Sequence, residues 1–293
     1  MIVLTTEARK IKQKIPFVLA KNQQCLIMPV GDVHYLSEGW PQDKFVEHLR
    51  WGMDRGAMFL GMGEYIDFAS ASQRALTSLL RDKVKKQVDE LIEEQVEKLA
   101  RLMEFTRGRW IGLLEGDHRW DYANGTGADQ QLCRALQSPF LGTAALIRIR
   151  PHGAPAAHPE ADAVIYAHHG MGSSRTQGGH LHRVEDLLKF IDADVYLMGH
   201  SHAKVSAPMD RQYVSPDGVH FHRTKLVART GAWLRGYVSR DPAGLDEPAL
   251  ESRATYAEAA AYPPAAMGGL CIGIGYEKIE GSEYYRPTIH YSV

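Results

Sequence analysis

Residues 24–34 read QCLIMPVGDVH, an apolar run that ends in glycine and is followed at once by Asp32 and His34. An unbroken apolar run of this length is the pattern of a strand buried on both faces, as in a parallel sheet covered by helices. Four further pieces repeat the design of metal-binding side chains at the end of an apolar run. Glu64 and Asp67 follow AMFLGMG, Asp117 and His118 follow RWIGLLEG, His168 and His169 close VIYAHHG, and His200 and His202 close VYLMGHSH. Alternate residues at a strand end point to one side, so Asp32 and His34 can both serve one ion, and His200 and His202 are another pair two residues apart. A fold that lines up the C-terminal ends of parallel strands gathers all five pieces on one rim, the usual ligand position of open α/β sheets. Together they read as a dinuclear metal site.

Taken in order, GDVHY, GEYID, GDHR, HHG and GHSH resemble the motif set of the calcineurin-like metallophosphoesterases: D-x-H, G-D-x-x-D, G-N-H-[DE], H and G-H-x-H. The resemblance spans Asp32 to His202 and is specific as a set, whereas each motif alone is weak. It implies an α/β fold, a four-layer αββα sandwich of two mixed sheets flanked by helices. It also implies two divalent cations, manganese first, with iron, zinc, nickel or magnesium as alternatives. By the same resemblance Asp32, His34 and His202 hold one ion, Asp117, His169 and His200 complete the other, and Glu64 bridges them. His169 is preferred over His168 because the family ligand directly precedes the glycine. His118 is the catalytic histidine over the substrate, oriented by Asp67, and that pairing raises its pKa.

The implied reaction is hydrolysis of a phosphate ester by a hydroxide held between the two ions, attacking in line while the ions and His118 spread the developing charge. A phosphodiesterase is favoured, since Phe68 stands where the protein phosphatases of the family carry Arg. Nucleic acid and nucleotides are candidate substrates. The alternatives are a phosphomonoesterase and a catalytically silent scaffold of the same fold. Two departures from the pattern stand out. Glu64 replaces an Asp and is a methylene longer, which could move the ions from the roughly 3.5–4 Å of two-metal sites. Asp117 replaces an Asn and adds a carboxylate, favouring oxygen-loving ions such as manganese. Arg119 takes the place of an acid and is a candidate grip on a phosphate oxygen, as is Arg175 in the glycine-rich stretch 170–179.

His180/His182 and His220/His222 share the two-residue spacing of GHSH, but the first pair looks like a helix start and the second like an ordinary strand face, so both are read as structural. His48, His152, His158 and His290 have no partners in the pattern. Cys25, Cys133 and Cys271 lie in plain strand and helix contexts without acid–base neighbours, which argues against a cysteine nucleophile, and three cysteines with no paired spacing argue for a reducing compartment. Stretch 230–237, TGAWLRGY, offers Trp233 and Arg235 to the cleft, and Trp233 as a base-stacking platform.

With 34 basic and 35 acidic residues the 293-residue chain has no global attraction to nucleic acid or an acidic membrane. No apolar leader and no stretch near the ~20 residues of a membrane span is visible, so a cytoplasmic protein without a membrane partner is expected; nothing in the sequence fixes an oligomeric state. Since the site draws on residues from 32 to 202, one domain over 1–293 is expected. Strands are expected at 24–30, 57–62, 110–114, 145–150, 163–168, 195–198, 225–229, 270–276 and 287–291. Helices are expected at 41–55, 78–106 and 182–191. The long one carries a stripe of Leu80, Val84, Val88, Leu91, Val96, Leu99 and Met103, read as packing on the sheet, with a protruding dimerisation helix as the alternative. Stretches 152–160 and 240–255 read as surface loops.

Overall fold

The computed structural model of the chain describes residues 2–5, 10–11, 24–37, 40–68, 82–237, 258, 261 and 264–293. They form an α/β structure with two mixed sheets. Strands in chain order are β1 (Ile2–Thr5), β2 (Lys10–Ile11), β3 (Cys25–Val30), β4 (Met58–Gly61), β5 (Trp110–Leu113), β6 (Ala144–Ile149), β7 (Ala163–His168), β8 (Val195–Met198), β9 (Lys204–Val214), β10 (His220–Thr230), β11 (Cys271–Lys278) and β12 (Tyr285–Ser292). The helices are α1 (Gln42–Asp54), α2 (Asp82–Leu102), α3 (Ala128–Ala135) and α4 (Gln177–Glu185). One sheet runs β12-β11-β3-β4-β5, the other β2-β1-β6-β7-β8-β10-β9. Among these, β3, β4 and β5 are mutually parallel in the first sheet, and β7, β8 and β10 in the second.

Burial explains why the central strands are so apolar. Ile27, Leu60 and Ile111 of the five-stranded sheet share one core with Ile165, Leu197 and Leu226 of the seven-stranded sheet. The opposite face of the first sheet, with Met28, Phe59 and Trp110, packs on Phe45 and Leu49 of α1, Val96 and Leu99 of α2, and Leu132 of α3. A third cluster joins Tyr196 and Val227 to Val184 of α4. Strands covered on both faces cannot alternate polar and apolar residues, hence runs such as VYLM and MFLG. Pro29 is tolerated in an inner strand because β11 pairs with β3 only as far as Ile27, so no ladder partner is lost at Pro29.

Several expectations shift. The helix placed at 182–191 begins earlier, at Gln177, because the Thr176 hydroxyl accepts a hydrogen bond from Gly179 N and caps it; Asp186–Lys189 then continues as a 3-10 turn. The end of the glycine-rich stretch 170–179 is therefore helix. The long helix packs through Ile92, Val96, Leu99 and Met103, but Leu91 is 61% exposed and Val84 40%, so the stripe is narrower than the sequence suggested. Residues 78–81 and the 240–255 loop lie outside the described residues. Strand β9 was not anticipated: KVSAPMDRQYV mixes Pro208 with charges, the composition of an edge strand, and it pairs along the whole of β10. None of the helices among the described residues is long and apolar enough to cross a membrane.

Candidate metal centre

Each predicted donor sits just past the C-terminal end of a parallel strand. Asp32 and His34 follow β3, Glu64 and Asp67 follow β4, Asp117 and His118 follow β5, His169 follows β7, and His200 and His202 follow β8. The side chains are aimed by turns rather than by strand alternation. Asp32, His34, Glu64, His200 and His202 all have positive φ, between 47° and 67°, and make up five of the eight such non-glycine residues among the described residues. That backbone costs of order 1–3 kcal/mol per residue and persists only where surrounding structure imposes it. Here the imposing contacts are backbone hydrogen bonds between neighbouring loops: Asp32 N to Gly63 O, Val33 N and His34 N to Glu64 O, and Trp233 N to Asp32 O. Gly63 has to be glycine twice over, having φ of 94° and leaving a Cβ only 2.6 Å from His169 Nδ1.

Three groups of donor atoms lie within 4.8 Å of one another: Asp32, His34 and His202; Asp117, His169 and His200; and His34, Glu64 and His118. Asp32 and Glu64 are 0% and 3% exposed, and His34 and His169 4% and 2%. Asp32 accepts twice from His200 N, at 2.9 and 3.1 Å. Glu64 Oε1 accepts from Asp117 N at 2.6 Å and His118 N at 2.8 Å, while its buried Oε2 has no hydrogen-bond partner. One oxygen of Glu64 thus braces the Asp117–His118 turn, and the other lies 3.5 Å from His118 Nδ1. His118 Nδ1 donates to Asp67 Oδ1 at 2.8 Å, and Ser37 Oγ donates to Asp67 Oδ2 at 2.8 Å.

Whether these residues suit divalent cations can be judged from hydrogen-bond roles. His169 Nδ1 donates to Met62 O at 2.7 Å, so in the neutral ring Nε2 is an acceptor. That Nε2 faces Asp117 Oδ1 at 3.0 Å and Glu64 Oε1 at 3.3 Å, which can also only accept. Acceptor against acceptor is repulsive unless a proton or a cation lies between, and a backbone carbonyl fixing the far nitrogen is the usual second layer of a metal-bound histidine. His34 Nε2 and His202 Nε2 stand 2.9 Å apart, a pair that either an N–H of one ring or a shared cation can join. The donor set fits.

The titration behaviour has the same origin. Burial lifts Asp32 to about 6 against the pull of His169 and His34. Burial pulls His169 down, but the carboxylates of Asp117 and Glu64 overcome it and hold the ring at about 11. Burial, reinforced by the rings of His34 and His200, pushes His202 to about 3, keeping it in the neutral form a cation needs. The hydrogen bond to Asp67 raises His118, and that bond, together with the His34 ring 3.9 Å away and the Ser37 hydroxyl, holds Asp67 far below the carboxylate range.

Other candidates fall outside this cluster. His168 turns away and accepts from Gly170 N at 2.7 Å. Arg119 is engaged by Glu115 at 2.6 Å and Asp121 at 3.6 Å, and Arg175 is exposed on the turn before α4. Trp233 corrects an expectation: it is 4% exposed, its ring 5.4 Å from Phe45 and 4.8 Å from His48, so it is core and offers no face to a base. His220 and His222 pair at 5.6 Å on β10, outside every donor group. Burial pushes the Cys25 thiol to about 11 and raises those of Cys133 and Cys271, the opposite of nucleophile activation. Two supports had no sequence signal of their own. The Tyr65 hydroxyl accepts from Gly63 N and donates to Leu114 O, tying the loops after β4 and β5 together, and buried Asp129 accepts from Gly116 N at 3.2 Å behind the Asp117 turn.

No family model matches the chain, and no curated protein sequence matches it. Among solved structures, it is similar to a conserved uncharacterised protein from Streptococcus pneumoniae TIGR4, described as a predicted phosphoesterase, at 12% identity and a TM-score of 0.32, over 92% of this chain and 100% of that one.

Proposed function

We propose that this chain is a metal-dependent phosphoesterase of the calcineurin-like type, with its layers forming an αββα sandwich. Asp32, His34 and His202 would hold one divalent cation, Asp117, His169 and His200 a second, and Glu64 would contribute to both. The observation that carries the reading is the gathering of these seven donors on one rim with His118 beside them, its Nδ1 tied to Asp67. When bound, the cations would neutralise the ester's charge and lower the pKa of water toward neutrality.

The remaining work falls to the protein. Asp67 accepts from His118 Nδ1, which orients the ring so that Nε2 can reach a leaving oxygen, and the same bond shifts the ring toward its protonated form. At 31% exposure His118 is open enough to meet substrate, whereas Asp32, Glu64 and His169 are sealed behind it. Glu64 Oε1 locks the peptide groups of Asp117 and His118, so the metal-binding and proton-donating parts of that turn move together. Phe68, partly buried against the core, brings no cation to a substrate monoester dianion, which supports a preference for diesters.

The test is hydrolysis of bis-p-nitrophenyl phosphate and p-nitrophenyl phosphate with added Mn2+. Diester cleavage that needs the metal and drops about 10²–10⁴-fold in His118→Ala is expected. Preference for the monoester would make the chain a phosphomonoesterase, and failure both to bind metal and to cleave either ester would leave a binding scaffold. Cleavage of DNA or RNA, lost in the same variant, would extend the diesterase reading to nucleic acid.

A further inference from the structure

Arg229, the penultimate residue of β10, is 0% exposed. On the same strand Arg223 pairs with Asp194 at 2.6 Å and Lys225 with Asp192 at 2.7 Å. Among the described residues Arg229 makes no such pair. Its Nε donates to His180 O at 3.0 Å, its Nη1 to Gly199 O at 2.8 Å, and its Nη2 is buried without a hydrogen-bond partner. A guanidinium kept out of water is costly unless its hydrogen bonds are satisfied, so the partners it does have carry the weight of its position.

Gly199 O and His200 N belong to one peptide group. The oxygen takes the hydrogen bond from Arg229, and the N–H on the other side donates to both oxygens of Asp32. A Cβ on Gly199 would lie 3.0 Å from Asp32 Oδ2, and His200 has φ of 67°, so the peptide lies tightly against the carboxylate in a conformation it would not choose alone. A Cβ on Gly170, the residue after His169, would lie 3.3 Å from Arg229 Nη1. The guanidinium therefore lies against the segments that present His169, His200 and His202, and is linked through one peptide to Asp32.

We infer that Arg229 is a positioning residue for the candidate metal centre, fixing the Gly199–His200 peptide so that its N–H orients Asp32 and its turn presents His200. This rests on the metal-site reading above. The charge also polarises the peptide, making its N–H a better donor to a carboxylate that burial would otherwise favour as the neutral acid. A lysine could reach Gly199 O or His180 O but cannot bridge both with a fixed fork.

The test is an equilibrium titration with Mn2+, read by the electron paramagnetic resonance of the free ion, on wild type, Arg229→Met, Arg229→Lys and Arg223→Met, each with its melting temperature. Arg229→Met should lose about 10–100-fold in Mn2+ affinity, as when an outer-shell partner is removed, and Arg229→Lys should recover part of it. Arg223→Met strands Asp194 and should lower the melting temperature while binding Mn2+ as wild type does. Wild-type affinity in both Arg229 variants overturns the assignment, as does a loss in Arg223→Met as large as that in Arg229→Met. If Arg229→Met does not fold, Arg229→Lys decides alone: several-fold weaker binding supports the role, and wild-type binding refutes it. A wild-type protein that takes up no Mn2+ removes the metal-site reading itself, and this assignment with it.

Discussion

The two sheets contribute unlike halves to the rim. Asp32, Glu64, Asp67 and Asp117 all follow strands of the five-stranded sheet, whereas the seven-stranded sheet brings only imidazoles, His169, His200 and His202. One half supplies carboxylates, whose negative charge calls for a counter-charge, and the other supplies imidazole nitrogens. The division teaches that neither half suffices, so ion binding should tie the rims of the sheets together.

The largest effect is expected on the charged half. Glu64→Ala removes the buried carboxylate and leaves two peptide N–H groups of the Asp117 turn without their acceptor, and Mn2+-dependent ester hydrolysis should fall about 10³-fold. Activity within tenfold of wild type would mean that the carboxylate half is dispensable. On the imidazole half, His200→Ala or His202→Ala should weaken Mn2+ binding about 10–100-fold in a calorimetric titration. An unchanged affinity would show that the seven-stranded sheet contributes no ligand.

A thermal measurement addresses the tie between the halves. Mn2+ at a hundred times its Kd should stabilise the protein by about 2.7 kcal/mol, or about 5–10 °C in Tm, and Glu64→Ala should abolish that gain. A smaller effect probes the surplus of negative charge behind the Asp117 turn. Burial, with Glu64 and Glu115 nearby, raises Asp129 to about 7, against an unfolded value of about 3.9. Between those values the folded protein holds a proton that the unfolded chain has released, so stability falls as pH rises through the window. Asp129→Asn should therefore gain about 1–2 kcal/mol over wild type at pH 8 and much less at pH 4; an equal gain at both would remove the ionisation argument. The smallest effect belongs to His220→Ala and His222→Ala, which share the spacing of His200 and His202 and should change activity less than about twofold.

That last pair marks what the sequence could reveal. Apolar runs ending in Asp, Glu or His made the inner strands and the donors legible, because strands buried on both faces must be apolar and the chemistry requires those residue types at their ends. Spacing alone could not separate GHSH from VHFHR. What separates them is backbone: His200 and His202 have positive φ beside Asp32, while His220 and His222 lie in a regular strand on an exposed hairpin. Arg119 was read as a phosphate grip from its place in a motif, but its neighbours Glu115 and Asp121 engage it, a contact set by the turn. Trp233 looked available because it follows a strand, yet the chain folds it back onto Phe45 and His48. Tyr65, Asp129 and Arg229 were silent for one reason: each acts through a peptide group, and peptide groups leave no mark on composition.

The central claim is that donors from both sheets hold a pair of divalent cations. An equilibrium Mn2+ titration of wild type beside a His169→Ala/His200→Ala double variant tests it most directly. About two ions per chain are predicted for wild type, falling to about one when both imidazoles of the Asp117 group are removed; wild type that binds none, or a double variant that still binds two, would contradict it.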